Sequence, residues 1–115
     1  MTVAFDEDVV LAKVSNVRAC IETVKGLHGA DAPQIEDWMR LDLTVLNLQR
    51  AIDACLDLAN HLIAANKWEL PRSGGHSIAV LERNKVVPMS DLDTLNSMGG
   101  FRNIAVHNYA TIDPE

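Results

Sequence analysis

At 115 residues, the chain is long enough for a single domain with one hydrophobic core. Apolar residues make up 48% of the sequence and aromatic residues only 4%, a balance typical of a small helical bundle. The net charge of −6 argues against a general nucleic-acid-binding protein, although it is compatible with one small basic site. The N-terminal segment is acidic, unlike a signal peptide, and no apolar run reaches the length of a membrane span. We therefore expect a cytoplasmic protein with no membrane contact.

The two cysteines, Cys20 and Cys55, lie far apart inside apolar helical patterns. This placement is typical of buried free thiols, which agrees with a reducing cytosol. The sequence contains no CxxC motif and no cluster of cysteine and histidine. We therefore expect no metal site and no cofactor.

Apolar residues that recur at alternating spacings of four and three predict a first helix. Asp6 is the expected N-cap, Gly26 and Gly29 end the helix, and Pro33 marks the break that follows. The apolar stripe of this helix consists of Val10, Val14, Val17, Ile21 and Val24.

The same alternation predicts a second and longer helix, from about Gln34 or Trp38 to Asn66. Its apolar stripe consists of Leu41, Val45, Leu48, Ile52, Cys55, Ala59 and Leu62. The opposite side carries the polar residues Arg50, Asp53, Asp57 and His61. This polar side is either a solvent-exposed face or a set of residues that face the candidate site described below.

A loop rich in proline, serine and glycine, residues 71–75, separates the second helix from a short third helix that is predicted over residues 77–84. This third helix stops before Pro88. The segment around it is locally positive, since only Glu69 and Glu82 oppose its basic side chains. The basic residues are Lys67, Arg72, Arg83 and Lys85.

A fourth helix is predicted over residues 91–112. Ser90 and Asp93, three residues apart, resemble a capping box at its start. Gly99 and Gly100 lie inside this helix. They indicate either a local kink or the close approach of another backbone.

The fourth helix contains the stretch RNIAVHNY, in which polar and apolar residues are mixed. On a helical wheel, one side is apolar and forms the expected core face: Met98, Phe101, Ala105 and Ile112. A second face, an arc of about 160°, carries four polar residues: Arg102, Asn103, His107 and Tyr109. Leu92, Leu95 and Val106 lie in the same arc. A mixed face of this kind fits a surface that a second subunit covers, so we expect a homodimer through this helix.

The residue types on the mixed face suit one reaction. The guanidinium of Arg102 is a planar fork that fits a phosphate, and His107 can move a proton near neutral pH. With RNA, the histidine would take the proton of a ribose 2′-OH while the arginine stabilises the charge on the phosphate. The two residues diverge by about 140° on a regular helix, so one copy places them imperfectly for acting on one group. Two copies related by a twofold axis could bring an arginine and a histidine from each chain into one cleft. The alternative is that Arg102, His107 and Tyr109 make only salt bridges and packing contacts.

The segment MGGFRNIAVHNYATID resembles the signature of the HEPN superfamily, and in particular of the HepT-type toxins. Two further segments are similar to that family's second helix and to its connecting segment: LNLQRAIDACLDLANHLIAAN and LPRSGGHSIAVLERNKVVP. The resemblance extends over residues 41–113, and the order of the three segments makes it specific.

The resemblance implies an all-α, up-and-down bundle that dimerises through the motif helix and cleaves RNA without a metal ion. Arg102 and His107 match the catalytic pair of the family, and Asn103 matches the polar residue that follows the arginine. Tyr109 matches the tyrosine to which a partner nucleotidyltransferase of the MntA type, the antitoxin, adds AMP. Relatives commonly continue into another helix after this tyrosine, so we expect residues 1–115 to form one domain that either is shortened or lacks that helix.

Two other functions remain open. The chain could be an interaction protein without useful catalysis, whose role is to bind and regulate the nucleotidyltransferase. It could also be a plain helical dimerisation module. The acidic net charge favours the first of these, whereas the intact pair of Arg102 and His107 favours a ribonuclease.

Overall fold

Four α-helices make up the described part of the chain. The structure, a computed structural model, describes residues 3–111, and for residues 107–111 it describes the backbone alone. The helices are α1 (Glu7–His28), α2 (Asp37–Ala65), α3 (Gly74–Arg83) and α4 (Leu92–Thr111), and the 3₁₀ turn Met89–Asp91 precedes α4. The predicted all-α bundle is confirmed. No helix in the described part of the chain is long and apolar enough to cross a membrane.

The helices α1 and α2 form a long antiparallel hairpin, and α3 and α4 pack against α2 and against each other. Contacts at both ends fix this hairpin. At one end, the side-chain amide of Asn66 exchanges two hydrogen bonds of 2.8 Å with the backbone of Ala4. At the other end, the guanidinium of Arg40 donates to the carbonyl oxygen of Leu27 in the last turn of α1 and to that of Pro33 in the loop that follows. The N-terminal segment and the loop between α1 and α2 are therefore tied to the helices that they border.

Capping side chains set two of the helix starts. Asp6 is the N-cap of α1, as predicted, and its Oδ1 accepts from the backbone N–H groups of Asp8 and Val9. The predicted start of α3 is wrong by one turn, because the glycines assigned to the loop form its first turn. Ser73 makes this possible, since its Oγ accepts from the backbone N–H of His76 at 3.1 Å.

The apolar stripe of α2 is covered along only part of its length. Ile52 and Ala59 are buried, as predicted, whereas Leu41 is 56% exposed. The reason is that α3 and α4 reach only the C-terminal half of α2, where Ile63 is nearly inaccessible. The apolar stripe of α2 is therefore buried chiefly where α3 and α4 reach it.

The centre of the core lies between α2 and α3. Ala59 and Ile63 of α2 pack there against Val80 and Leu81 of α3. The surrounding partly buried apolar residues are Leu62, Trp68, Val86 and Val87. Since Val86 and Val87 belong to the segment that leads into α4, this cluster also fixes where α4 begins.

The inward face of α4 is wider than the sequence indicated. Ala105 is buried, as expected, but Leu95, predicted on the mixed second face, lines an apolar cavity of about 210 Å³ together with Ile52, Ile78 and Met98. Because both α2 and α3 contact α4, residues on two adjoining sides of this helix turn inward. Leu95 is therefore partly buried against the bundle.

The two glycines of α4 do not interrupt it, since the helix continues through Gly99 and Gly100. A Cβ added at either position would have no heavy atom of the described residues within 4 Å outside the local helix backbone. Within the described chain, therefore, no other backbone approaches α4 closely at these glycines. The start of α4 also differs in detail from the prediction, because Ser90 lies inside the 3₁₀ turn and Asp91 directly precedes the helix.

Candidate functional site

Arg102 points from α4 towards α2 and contacts the polar side of that helix. Its Nε donates to Oδ1 of Asp53 at 2.7 Å, and its NH1 lies 3.4 Å from Oδ1 of Asn103. The side chains of Arg102 and Asp53 are 36% and 38% exposed, so the ion pair lies at the surface of the bundle. A bond of 2.7 Å between two charged groups is short and directional, whereas a contact of 3.4 Å is weak.

The packing of α4 on α2 explains this contact. Ala105 on α4 is buried, and α4 packs against α2. Asp53 and Arg102 lie at the edge of the packed faces, where an ion pair can form without full burial. Asp53 therefore faces the candidate site and not only solvent, which is one of the two arrangements that the sequence allows for the polar side of α2.

Two other residues of the polar side of α2 contact α1 or its N-cap. Asp57 forms an ion pair of 3.0 Å with Lys13, and Nε2 of His61 accepts from the backbone N–H of Asp6 at 3.0 Å. Arg50 is exposed. The polar side of α2 therefore serves several contacts, and among the side chains of residues 3–106 Asp53 is its only member that hydrogen-bonds to the motif helix.

A polar groove of about 560 Å³ begins at Arg102 and Asp53 and extends along α2 to the start of α3. Its polar lining also includes Asp57, Asn60, Arg72, Ser73 and Ser77. A second groove, of about 350 Å³, lies on the other side of Arg102 and includes Asn96 and Asn103. Arg102 borders both grooves, so its guanidinium stands where a ligand in either one would meet a positive charge.

The wall of the polar groove is held by a buried hydrogen bond. Ser77 is almost fully buried, and its Oγ donates to Oδ1 of Asn60 at 2.8 Å, which ties α3 to α2. The backbone N–H of Arg72 donates to Nδ1 of His76 at 2.9 Å, which fixes the loop ahead of α3. No local sequence pattern marks Asn60 or Ser77 as a site residue, because their proximity depends on the packing of α3 on α2.

The locally positive segment that the sequence predicts is partly neutralised. Glu69 forms an ion pair of 3.1 Å with Arg83 and lies 3.6 Å from Nε2 of His76. Arg72 borders the polar groove. The positive charge next to the groove therefore comes chiefly from Arg72 and Arg102.

Of the four predicted site residues, the structure places two side chains. Arg102 is half-buried beside Asp53, and Asn103 is exposed at the second groove. His107 and Tyr109 lie on the backbone of α4, but their side chains, and all of Ile112, are outside the residues described.

The thiols of Cys20 and Cys55 are free and partly buried. Burial raises the pKa of the Cys55 thiol, which makes it less nucleophilic near neutral pH. Within residues 3–106, no three histidine, cysteine, aspartate or glutamate side chains come together in a way that would hold a metal ion.

The described part of the chain is a four-helix, all-α domain that carries an R-x-x-x-x-H-x-Y motif on its last helix. This combination is the one expected of a HEPN-type domain. The sequence model of the family described as "Ribonuclease HepT-like" matches residues 15–115, and the chain belongs to that family. The resemblance to HepT-type toxins of the HEPN superfamily is thereby confirmed.

Individual relatives agree with this assignment. The chain is 32% identical over 106 residues to the mRNA nuclease HepT of Shewanella oneidensis. The matched region covers 92% of this chain and 80% of that protein. A crystal structure of a toxin–antitoxin with AMP-PNP is 31% identical, with a TM-score of 0.80 over 93% of this chain and 81% of that one. A structure of the tri-AMPylated Shewanella oneidensis HEPN toxin in complex with MNT antitoxin is also 31% identical, with a TM-score of 0.81 over 94% and 81% of the two chains.

Proposed function

We propose that this chain is the toxin of a HEPN/MNT toxin–antitoxin pair and that it is a metal-independent endoribonuclease. The observation that carries the proposal is the position of Arg102, which is held by Asp53 at the junction of two grooves. His107 follows five residues later on the same helix. Membership of the HepT-like ribonuclease family supports the assignment of this site to RNA cleavage.

The proposed reaction uses the 2′-OH of the substrate as the nucleophile. His107 takes the proton from this hydroxyl, and the 2′ oxygen forms a bond to the adjacent phosphorus. The bond from phosphorus to the 5′ oxygen breaks, and that oxygen leaves with a proton from water. The products are a 2′,3′-cyclic phosphate and a 5′-hydroxyl. Arg102 donates to the phosphate oxygens as their negative charge grows, and Asn103 is a further polar contact at the same face.

We expect the complete site to need two copies of the chain. Arg102 and His107 diverge by about 140° on a regular helix, so one α4 places them poorly for acting on the same group. A twofold axis would place the arginine of one copy near the histidine of the other. Support comes from the outer face of α4, where Ile104 is an apolar side chain that is 61% exposed next to Asn103. Leu95, on the predicted mixed face, is partly buried and lines the apolar cavity next to α2.

The proposed partner is a nucleotidyltransferase of the MntA type that adds AMP to Tyr109. The AMPylated Shewanella oneidensis toxin supports this partner and this modification. Tyr109 lies seven residues after Arg102, so the two positions nearly coincide on a helical wheel. A phosphate attached to Tyr109 can therefore occupy Arg102 in place of the RNA phosphate.

One alternative function has a specific observation in its favour. A regulator of the nucleotidyltransferase without catalysis fits the net charge of −6 and the neutralisation of Arg83 by Glu69. Such a protein would not require a proton-transferring group at position 107. Growth arrest that disappears with His107→Ala separates the ribonuclease from this regulator.

RNA cleavage in the presence of EDTA tests the proposed reaction. The purified protein is incubated with total cellular RNA with and without EDTA, and a preparation of Arg102→Ala in parallel controls for contaminating nucleases. We expect cleavage at an unchanged rate in EDTA, because the 2′-OH, His107 and Arg102 supply all the groups that the reaction needs. Cleavage that stops in EDTA and returns with an added divalent cation would overturn metal independence.

A further inference from the structure

The surroundings of Arg102 raise the question of what the ion pair with Asp53 contributes. Both side chains are more than one-third exposed, and ion pairs of this exposure add little to the stability of a fold. The pair does constrain geometry, because a bond of 2.7 Å at Nε fixes one edge of a planar guanidinium. Its main consequence is therefore the direction in which the rest of the guanidinium points.

The contact with Asp53 leaves most of the guanidinium available to a ligand. Of the five N–H donors that an arginine carries, Nε–H is used by Asp53, and one hydrogen of NH1 is directed at Asn103 over a weak 3.4 Å contact. The other donors of Arg102 lie at the junction of the two grooves. Two parallel donors held in a fixed plane match the oxygens of a phosphate better than a mobile side chain does.

Asp57 provides an internal comparison for Asp53. It lies one turn further along α2 and borders the same polar groove, but its carboxylate is paired with Lys13 of α1 at 3.0 Å. Both carboxylates place a negative charge where a phosphate chain would approach. In the described part of the chain, only Asp53 also holds the arginine of the motif.

We propose that Asp53 is a positioning residue for RNA cleavage: it holds Arg102 so that the free donors of the guanidinium meet the scissile phosphate. This inference rests on the proposed ribonuclease function. Asp53 is expected to raise kcat through the orientation of Arg102 and, at the same time, to raise KM because its charge repels the RNA backbone. A higher kcat and a higher KM act in opposite directions on kcat/KM, and together they distinguish positioning from a role in folding. A role in folding would change the amount of active protein and leave KM unchanged.

Steady-state kinetics on an RNA oligonucleotide test the proposal with three variants. Asp53→Ala removes the acceptor and the charge, so kcat should fall about 10- to 100-fold, the loss typical of a misplaced catalytic group, while KM decreases. Asp53→Asn keeps an acceptor oxygen but not the charge, so it should show the lower KM with a kcat between those of the wild type and Asp53→Ala. Asp57→Ala removes the same charge from the same groove, so KM should decrease while kcat stays within about twofold, because the geometry of Arg102 is untouched.

The outcomes that would overturn the proposal are specific. An unchanged kcat in Asp53→Ala, or an equal fall of kcat in Asp53→Ala and Asp57→Ala, contradicts positioning through Arg102. In an Arg102→Lys background, Asp53→Ala should have a much smaller effect than in the wild type, because the two residues act as a unit. An undiminished effect in that background would also contradict the proposal.

A measurement without RNA separates this proposal from the proposed function. In ¹⁵N-labelled protein, the Nε–H signal of Arg102 should be sharp and shifted by the carboxylate, and it should lose both properties in Asp53→Ala but not in Asp57→Ala. If the wild type fails to cleave RNA and this pattern is still seen, the ribonuclease function is wrong while the contact stands. If the Arg102 signal is the same in all three proteins, Asp53 does not hold the arginine and the positioning role is wrong.

Discussion

Replacing Arg102 or His107 by alanine is expected to lower the rate of RNA cleavage at least about 100-fold and to remove growth arrest when the chain is expressed alone. Arg102 supplies charge to the phosphate and His107 moves the proton of the 2′-OH, and neither task has a substitute on the same helix. Arg102→Lys should remain impaired, because lysine keeps the charge but loses the planar fork. The measurement is the initial rate of cleavage of a labelled RNA, with circular dichroism to confirm that each variant is folded.

The two alanine variants also test whether the site is shared between two copies. If each complete site combines Arg102 of one copy with His107 of the other, co-expression of Arg102→Ala with His107→Ala should restore part of the activity. The mixed dimer then contains one intact arginine and one intact histidine in the cleft. Cleavage that stays absent although mixed dimers are present would place both residues in a site built by one chain. The double variant Arg102→Ala/His107→Ala expressed alone is the control.

Tyr109→Phe is expected to leave toxicity intact and to make it resistant to the partner nucleotidyltransferase. The hydroxyl of Tyr109 is the proposed acceptor of AMP, and phenylalanine keeps the ring but removes the oxygen. Intact-mass analysis after co-expression should show one or more additions of about 329 Da each in the wild type and none in Tyr109→Phe. The modified wild type should have lost RNA cleavage, because the attached phosphate occupies Arg102.

A matched pair of results would contradict this mechanism. If Tyr109→Phe is still neutralised by the partner, inhibition operates by binding alone. If additions of AMP persist in Tyr109→Phe, another side chain is the acceptor. A catalytically inactive partner serves as the control, since it can still bind the chain but cannot modify it.

The sequence predicts the fold well where local rules decide the outcome. Asp6 begins α1 because an aspartate directly before an apolar helical pattern satisfies the free N–H groups of the first turn. The prediction fails where the outcome depends on tertiary contacts. Leu41 belongs to a continuous apolar stripe, yet it is exposed because α3 and α4 do not reach that end of α2. Leu95, predicted on the mixed face, is partly buried because α2 and α3 both contact α4.

The candidate site shows the same division. Arg102 and Asn103 are visible in the motif, since their spacing to His107 and Tyr109 lies within one helix. Asp53 is visible only as one member of a polar stripe, because its contact with Arg102 joins residues that are far apart in sequence. The hydrogen bond between Ser77 and Asn60, which holds the wall of the groove, has no counterpart in any local pattern.

In the proposed mechanism, the chain cleaves RNA through the 2′-OH next to the scissile phosphate, with Arg102 and His107 at the site. The most direct measurement uses two RNA oligonucleotides that are identical except for one 2′-deoxy nucleotide, placed immediately 5′ of a bond that the wild type is first shown to cut. We expect the all-ribose strand to be cut to a 2′,3′-cyclic phosphate and a 5′-hydroxyl, and the bond after the 2′-deoxy nucleotide to stay intact. Equal cleavage of both strands at that bond would show that the 2′-OH is not the nucleophile and would contradict the mechanism.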